Sequence, residues 1–332
     1  MAYDKKLLAA ARRKLERDRE AHEDAMEARR RDVYAKEPRI RAIDRELSAT
    51  AIQVLRAALE QGSDPEKAIA SLRERNLSLQ EERSRLLRGM GLPSDWLTNK
   101  PLCEKCGDTG YERAATCECV KRRYARLLKE QLSSVLPIED QNFGKFNLGY
   151  YSTRMDPNMK DSPRENMEDN LYECKKYEKE FGESSPNLLM YGSTGLGKTF
   201  LSTCIADAVS ARGFSVAYDT AINIIAAYET IKFGTGDGAA AAERAARYER
   251  ADLLIIDDLT EMGTAFTVSA LYNLINNRLM AHRPMIVNTN LLPDELKKRY
   301  SPAVASRLLG EFKQLRFFGD DIRMLKSRMQ NR

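Results

Sequence analysis

Asn187-Leu188-Leu189-Met190-Tyr191-Gly192-Ser193-Thr194-Gly195-Leu196-Gly197-Lys198-Thr199 joins a short apolar run directly to the pattern G-x-x-x-x-G-K-T. Few physical tasks need that arrangement. Glycines Gly192, Gly195 and Gly197 permit backbone conformations that a Cβ forbids, so that successive N–H groups can turn inward around a phosphate. Lys198 supplies a compact cation for the β- and γ-phosphates, and Thr199 offers a hydroxyl to Mg²⁺. A helix expected over about 198–211 points its positive end at the same anion. The loop from Gly192 through Thr199, with Phe200 just inside the helix, is therefore the candidate nucleoside triphosphate site.

Working outward, helix and strand patterns alternate from Glu168 onward, which is the mark of a wound α/β domain. Strands are expected at Asn187–Tyr191, Phe214–Asp219, Leu253–Asp257, Met285–Thr289 and Lys313–Phe317, giving a five-stranded parallel sheet. The run Leu253-Leu254-Ile255-Ile256 ends in Asp257 and Asp258, about sixty residues after the glycine loop. Buried parallel strands read as continuous apolar runs, and ligands sit beyond their carboxyl ends. Asp257 is thus placed to bind Mg²⁺, directly or through water, and Asp258 to orient or deprotonate an attacking water. Met285-Ile286-Val287-Asn288-Thr289-Asn290 is a second buried strand ending in an amide, and Asn290 is a candidate holder of that water, although Asn after a strand also serves as a plain turn residue. Arg307, in a helix begun at Ser301-Pro302, and Arg323, at the start of the last helix, are candidates for neutralising charge on the transferring phosphoryl group.

The chain has 332 residues, enough for two domains or for one with a long extension. With 54 basic and 49 acidic residues the net charge is only +5, which permits a nucleic-acid partner without arguing for one. The N-terminus lacks an apolar signal core and no apolar run approaches a membrane span, so a cytoplasmic location and no membrane partner are expected. Residues 1–92 are rich in Ala, Leu, Glu and Arg. Ile40, Ile43, Leu47, Val54 and Ala57 fall at heptad-like spacing, interrupted by Thr50, and Leu72, Leu79 and Leu86 repeat every seven residues. Gln61-Gly62-Ser63-Asp64-Pro65-Glu66 breaks one helix and caps the next, with Ser63 and Glu66 at capping-box spacing. A helical hairpin results, preceded by a separate segment ending near Pro38. Its mixed charge, 22 basic against 18 acidic residues over positions 1–100, suits a solvated coiled coil better than a DNA-binding arm.

Four of the six cysteines crowd into a short stretch: Cys103-x-x-Cys106, ten residues, then Cys117-x-Cys119. This is zinc-ribbon-like spacing, and Gly107-Asp108-Thr109-Gly110 offers the tight turn of a knuckle. The two histidines, His22 and His282, are remote in sequence, so a site here is all-cysteine; four reduced thiols or an iron–sulfur centre are the alternatives. Cys174 and Cys204 read as ordinary small residues. A helix of basic character is expected over Lys121–Leu132, and then a loop-rich connector with Asp156-Pro157 and Ser162-Pro163 to about residue 166.

The set Asn142-Phe143-Gly144-Lys145-Phe146 with Tyr150-Tyr151-Ser152, GSTGLGKT, LLIIDDL, VNTNL, SRL and GDDIR, in that order over about residues 140–332, resembles the AAA+ ATPases of the DnaC/DnaI helicase-loader and IstB-like group. The resemblance implies Lys198 and Thr199 as phosphate and magnesium residues, Asp257 and Asp258 as the acidic pair, and Asn290 as the first sensor. It implies Arg307 as a finger reaching a neighbouring subunit's nucleotide, Arg323 as the second sensor, and Phe143 and Phe146 as borders of the adenine. The stretch from about 221 to 238 corresponds to an element that these loaders insert after the second strand. The acidic pair is Asp-Asp where most AAA+ enzymes have Asp-Glu. Asp258 is a methylene shorter than Glu, and slow turnover, stimulated by assembly or DNA, is expected. The chain ends soon after Arg323, with no room for a helical lid.

The expected organisation is a partner-binding coiled-coil hairpin over 1–92, a four-cysteine zinc module and helix over 93–135, a linker and first part of the ATPase over 136–185, and the AAA+ core without a full lid over 186–332. The implied activity is ATP-dependent loading of a hexameric replicative helicase onto single-stranded DNA, with ATP, Mg²⁺ and Zn²⁺ as cofactors and self-assembly through the AAA+ domain. An IstB-type transposition helper and a nucleotide-gated scaffold that hydrolyses little are the rival readings. Lys232 and Arg244 are candidate DNA contacts.

Overall fold

The apolar run Leu188–Met190 is buried on both sides because helices cover both faces of the sheet that it enters. In the computed structural model, which describes residues 4–59, 65–133, 136, 141–260 and 264–330, the chain forms two compact units. One comprises Arg12–Cys119; the other comprises Val120–Arg332 together with Met1–Ala11.

The larger unit contains a five-stranded, all-parallel sheet built from β3 (Asn187–Tyr191), β4 (Val216–Thr220), β5 (Leu253–Leu259), β6 (Met285–Thr289) and β7 (Phe312–Arg316), in the spatial order β4-β5-β6-β3-β7. All five expected strands are present, with ends shifted by no more than two residues. Strand β3 pairs with the fourth and fifth strands rather than the second, so the chain reverses its direction of winding beside β3. Ligands of open α/β sheets settle at such a switch point. Side chains alternate between two cores. Leu189, Leu254, Ile256 and Val287 face one, under α9 (Ala265–Met280) and α11 (Pro302–Gly310). Leu188, Met190, Ile255 and Ile286 face the other, under α5 (Pro163–Glu180) and α6 (Lys198–Ala211).

Helix α5 begins earlier than the loop-rich reading of the connector. Ser162 and Glu165 form a reciprocal capping box, and Pro163 occupies the first helical position, where its missing N–H costs nothing. Between β4 and β5 the chain inserts a helical pair, α7 (Ala221–Phe233) and α8 (Gly238–Arg250). Gly234 ends α7 in the left-handed conformation, and the Asp237 carboxylate caps α8 by accepting from the Ala240 N–H. The last two helices are α10 (Pro293–Arg299), which precedes α11, and α12 (Ile322–Gln330). The basic helix α4 (Glu118–Ser133) also takes its expected place.

In the Arg12–Cys119 unit, α1 (Lys5–Lys36) gives way to α2 (Pro38–Leu59) at the expected proline, and α2 packs along α3 (Pro65–Gly89). Arg39 grips Glu82 through two hydrogen bonds of 2.7 and 2.9 Å, and Arg83 donates to Asp44 at 2.7 Å. Ile40, Ile43 and Leu79 are buried as the heptad spacing predicts. At the end of α3, Leu87 rather than Leu86 takes the fully buried place, beside Val33 and Leu97. Thr50 is buried and satisfies its hydroxyl on the Glu46 carbonyl one turn back, at 2.7 Å. Ser63 of the expected capping box and the side chains of Val54 and Ala57 lie outside the described residues.

Arg278 of α9, 1% exposed, ties the inserted pair to the sheet. Its guanidinium donates to the carbonyls of Tyr248 (2.7 Å), Ala251 (3.0 Å) and Pro284 (2.8 Å), so it caps the end of α8 and braces the entry to β6. Bonds to a charged donor contribute more than neutral ones, and truncation leaves buried carbonyls without a partner. Arg278→Met is expected to lower stability by about 2 kcal/mol or more. A urea unfolding midpoint equal to that of the wild type would show that these carbonyls find other donors.

Candidate functional site

The loop Gly192–Gly197 leaves the carboxyl end of β3 and delivers the chain into α6 through Gly197, whose φ of 97° lies in the left-handed region. A Cβ there would stand 2.8 Å from the Tyr151 hydroxyl, and one on Gly192 would meet the Phe317 carbonyl at 2.0 Å. These two glycines are therefore required by close approach as well as by φ. Gly197 provides no side-chain cap, so the first N–H groups of α6 have no side-chain acceptor and remain free for an anion. Lys198 bends back over the loop and donates from Nζ to the carbonyls of Gly192 (2.7 Å) and Ser193 (2.8 Å). Burial pushes its ammonium down to about 8, against the pull of Asp257 and Asp258 in the opposite direction.

A cavity of about 530 Å³ opens above this loop. Its walls include Thr194 through Phe200, Asp257 and Asp258, Asn288 through Asn290, and Arg323, so it gathers the glycine loop, both acids, the end of β6 and the last helix around one space. Thr199 Oγ1 donates to the Asp257 carboxylate at 3.1 and 3.2 Å. Asp257 is 7% exposed, whereas Asp258 is exposed. Strict alternation along β5 would send these two to opposite faces. A register shift between Ile256 and Leu259 and a φ of 51° at Asp258 turn both toward the cavity. Aspartate is among the few residues that visit this conformation readily.

The expected site residues fall into three groups. Lys198, Thr199, Asp257, Asp258, Asn290 and Arg323 share the cavity. Asn290 Oδ1 and Asn288 Oδ1 are buried acceptors without a protein partner, on residues that line it. Phe146 also lines the cavity, stacked on Tyr151 at 5.9 Å and edge-on to Phe200 at 5.5 Å, whereas Phe143 packs against the adjoining core and does not border the space. Arg307 lies elsewhere. It donates to Asn276 at 3.1 Å and to Glu311 at 3.4 Å, and lines a separate groove with Arg283 near the amino ends of the strands.

Four groups around the cavity escaped the reading of the sequence. Tyr218, Asn288 and Ser202 lie in runs that read as plain core. Asp321 sits beside the loop, with its carboxylate where a Gly195 side chain would be, while the Ile322 N–H donates to the Gly195 carbonyl at 3.1 Å. The signal for Asn288 and Tyr218 was a polar group at the carboxyl end of an otherwise apolar strand, which is what singled out Asp257.

The residues fit a magnesium nucleotide. Uncapped N–H groups, Lys198 and Arg323 suit phosphates, and a buried carboxylate paired with a hydroxyl suits a hard cation that takes oxygen ligands.

The second candidate site lies in the Arg12–Cys119 unit. The sulfurs of Cys103, Cys106, Cys117 and Cys119 lie within 4.8 Å of one another. Cys103 and Cys117 are separated by 3.8 Å, and Cys106 and Cys119 by 3.6 Å. A tetrahedron with metal–sulfur bonds near 2.3 Å places its sulfurs about 3.8 Å apart, so the donor set fits zinc. Asp108 fastens the first knuckle by accepting from the N–H groups of Leu102 (2.9 Å) and Cys103 (2.8 Å), and a two-stranded ribbon, β1 (Tyr111–Glu112) with β2 (Ala115–Thr116), carries the chain to Cys117. Cys174 and Cys204 are buried in the other unit, and burial pushes both thiols up.

Residues 175–327 match the family model described as IstB-like ATP binding protein. No curated protein matches the chain. Similar solved structures include AMPPCP-bound DnaA from Aquifex aeolicus, at 22% identity over 58% of this chain and 55% of that one, with a TM-score of 0.44. They also include the DnaC helicase loader (15% identity, 55% of this chain and 99% of that one, TM-score 0.45) and DnaI (16%, 56% and 93%, TM-score 0.43). The chain thus spans little more than half the length of that DnaA structure. No helix among the described residues is long and apolar enough to cross a membrane. Residues 175–327 are thus similar to the IstB-like ATP-binding family, and they fold as a parallel α/β domain with a glycine-rich P-loop after its first strand.

Proposed function

We propose that the cavity binds and hydrolyses ATP with magnesium, and that the protein uses this cycle to load a hexameric replicative helicase onto single-stranded DNA. One observation carries the nucleotide half: the hydrogen bond between Thr199 and Asp257 brings the two distant motifs to a single space. The amides of the loop and of the first turn of α6 hold the phosphates, and Lys198 turns from the loop carbonyls to the β- and γ-oxygens. Thr199 and Asp257 hold magnesium, which neutralises phosphate charge when bound. Asp258 and the free Asn290 Oδ1 orient the attacking water, and Arg323 stabilises charge on the equatorial oxygens. Phe146 borders the base. Arg307, outside its own cavity, serves a neighbouring copy's nucleotide.

The loader half is supported by the order of parts: a helical hairpin, a four-cysteine cluster whose spacing fits zinc, then the nucleotide-site domain. The hairpin docks on the helicase, and the inserted pair, which exposes Lys232, Phe233 and Arg244, meets DNA. A second reading, an IstB-type helper that delivers a transposase, is favoured by the description of the matching family model. Affinity capture separates the two: co-purification of the hexameric helicase supports the first, and of a transposase the second.

Lys198→Ala is expected to abolish binding of a fluorescent ATP analogue and with it the DNA-stimulated ATPase; retained affinity would remove the phosphate role of the loop. Arg307→Ala is expected to leave nucleotide binding by the monomer unchanged while abolishing the rise in turnover on assembly. Equal turnover in mutant and wild type would remove the finger assignment. Elemental analysis is expected to find one zinc per chain; less than stoichiometric metal with four titratable thiols would defeat the four-thiolate site.

A further inference from the structure

Asp257 is held by more than the nucleotide reading requires. Three neighbouring strands each present a polar group to the face of the sheet covered by α6, near their carboxyl ends. Tyr218 on β4 and Asn288 on β6 flank Asp257 on β5, each two positions or fewer beyond an apolar residue that packs under that helix. The Tyr218 hydroxyl donates to Asp257 Oδ2. Asn288 Nδ2 donates to Asp257 Oδ1 at 2.9 Å and to Ser202 Oγ at 2.8 Å. The Asp258 N–H adds a third donor to the carboxylate, on Oδ1 at 3.0 Å.

A carboxylate offers about four lone-pair directions. Asn288 and the Asp258 amide occupy those of Oδ1, and Tyr218 occupies one of Oδ2. The direction left over is the one shared with the cavity-lining hydroxyl of Thr199. Neither flanking group is needed for packing. Tyr218 is 7% exposed in an apolar cluster where phenylalanine would fill the same space, and Asn288, 1% exposed, follows Met285-Ile286-Val287. Burying a hydroxyl and an NH2 group costs free energy unless each is bonded, and both donate to the same acid.

Building on the reading of the cavity as a magnesium–ATP site, we propose that Tyr218 and Asn288 are positioning residues that clamp Asp257 in the orientation that recognises the metal of a magnesium–triphosphate. Both act through the carboxylate, Tyr218 from behind the cavity wall and Asn288 from within it. Partners of this kind typically change metal affinity by tenfold or more when removed.

The test is a magnesium titration of fluorescent ATP-analogue binding and of turnover, on the full chain, for wild type, Tyr218→Phe, Asn288→Ala and Asp257→Asn. For Tyr218→Phe the magnesium concentration at half-saturation is expected to rise about tenfold, with turnover at saturating magnesium largely retained and binding in EDTA equal to that of the wild type. Asn288→Ala is expected to move the midpoint in the same direction, so the idea stays open to test even if one variant misfolds. Adding Tyr218→Phe to Asp257→Asn is expected to cause no further shift. An unchanged magnesium midpoint in a folded Tyr218→Phe, or an equal loss of binding with and without magnesium, would overturn the clamp alone. Wild-type binding that survives Lys198→Ala would overturn the site reading and the clamp with it.

Discussion

The Asp257 carboxylate is the point on which the larger unit depends. It is buried near the end of the apolar strand β5, where an isolated charge would cost several kcal/mol, and it is tolerated because Thr199, Tyr218, Asn288 and the Asp258 amide all donate to it. Those donors come from α6, β4, β6 and the bulge of β5. One acid therefore ties the register of three strands to the helix that follows the glycine loop. Satisfying the charge and shaping the cavity are the same act.

The glycine loop is held from the other side by backbone contacts. Gly192 lies against the Phe317 carbonyl and Gly197 against the Tyr151 hydroxyl, which itself donates to the Leu196 carbonyl at 3.0 Å. Ile322 and Asp321 bracket Gly195. The loop is thus seated before any anion arrives, and little ordering remains for a ligand to pay in entropy. Only Lys198 must move, from two loop carbonyls to its phosphate.

Much of this was legible in the sequence, for physical reasons that differ from element to element. The five strands stand out because burial on both faces leaves continuous apolar runs, and Gly197-Lys198-Thr199 marks the start of α6 directly. Pro38 marks the joint of α1 and α2. The start of α5 was present in Ser162, Pro163 and Glu165, yet Pro and Ser also punctuate loops, and the two meanings compete. Leu86 and Leu87 show how a heptad repeat identifies a face to within one residue but not which neighbour is buried. Within the site, Tyr218 and Asn288 were hidden because their partners lie on other strands; only pairing across the sheet reveals them. The turn at Asp258 was equally hidden, since a bulge depends on the neighbouring register. Phe143 and Phe146 are indistinguishable by type, and packing alone sends one into the cavity and the other into the core.

Strand β7 is a margin of the sheet, and its outward positions are Lys313, Gln314 and Arg316. At the opposite margin β4 is flanked by the inserted helices α7 and α8. Charged side chains on an unpaired rim discourage the docking of a foreign strand, as does a helical cover. Edge-to-edge fusion of sheets between copies is thereby disfavoured, which leaves helices and loops as the surfaces through which copies can meet and part.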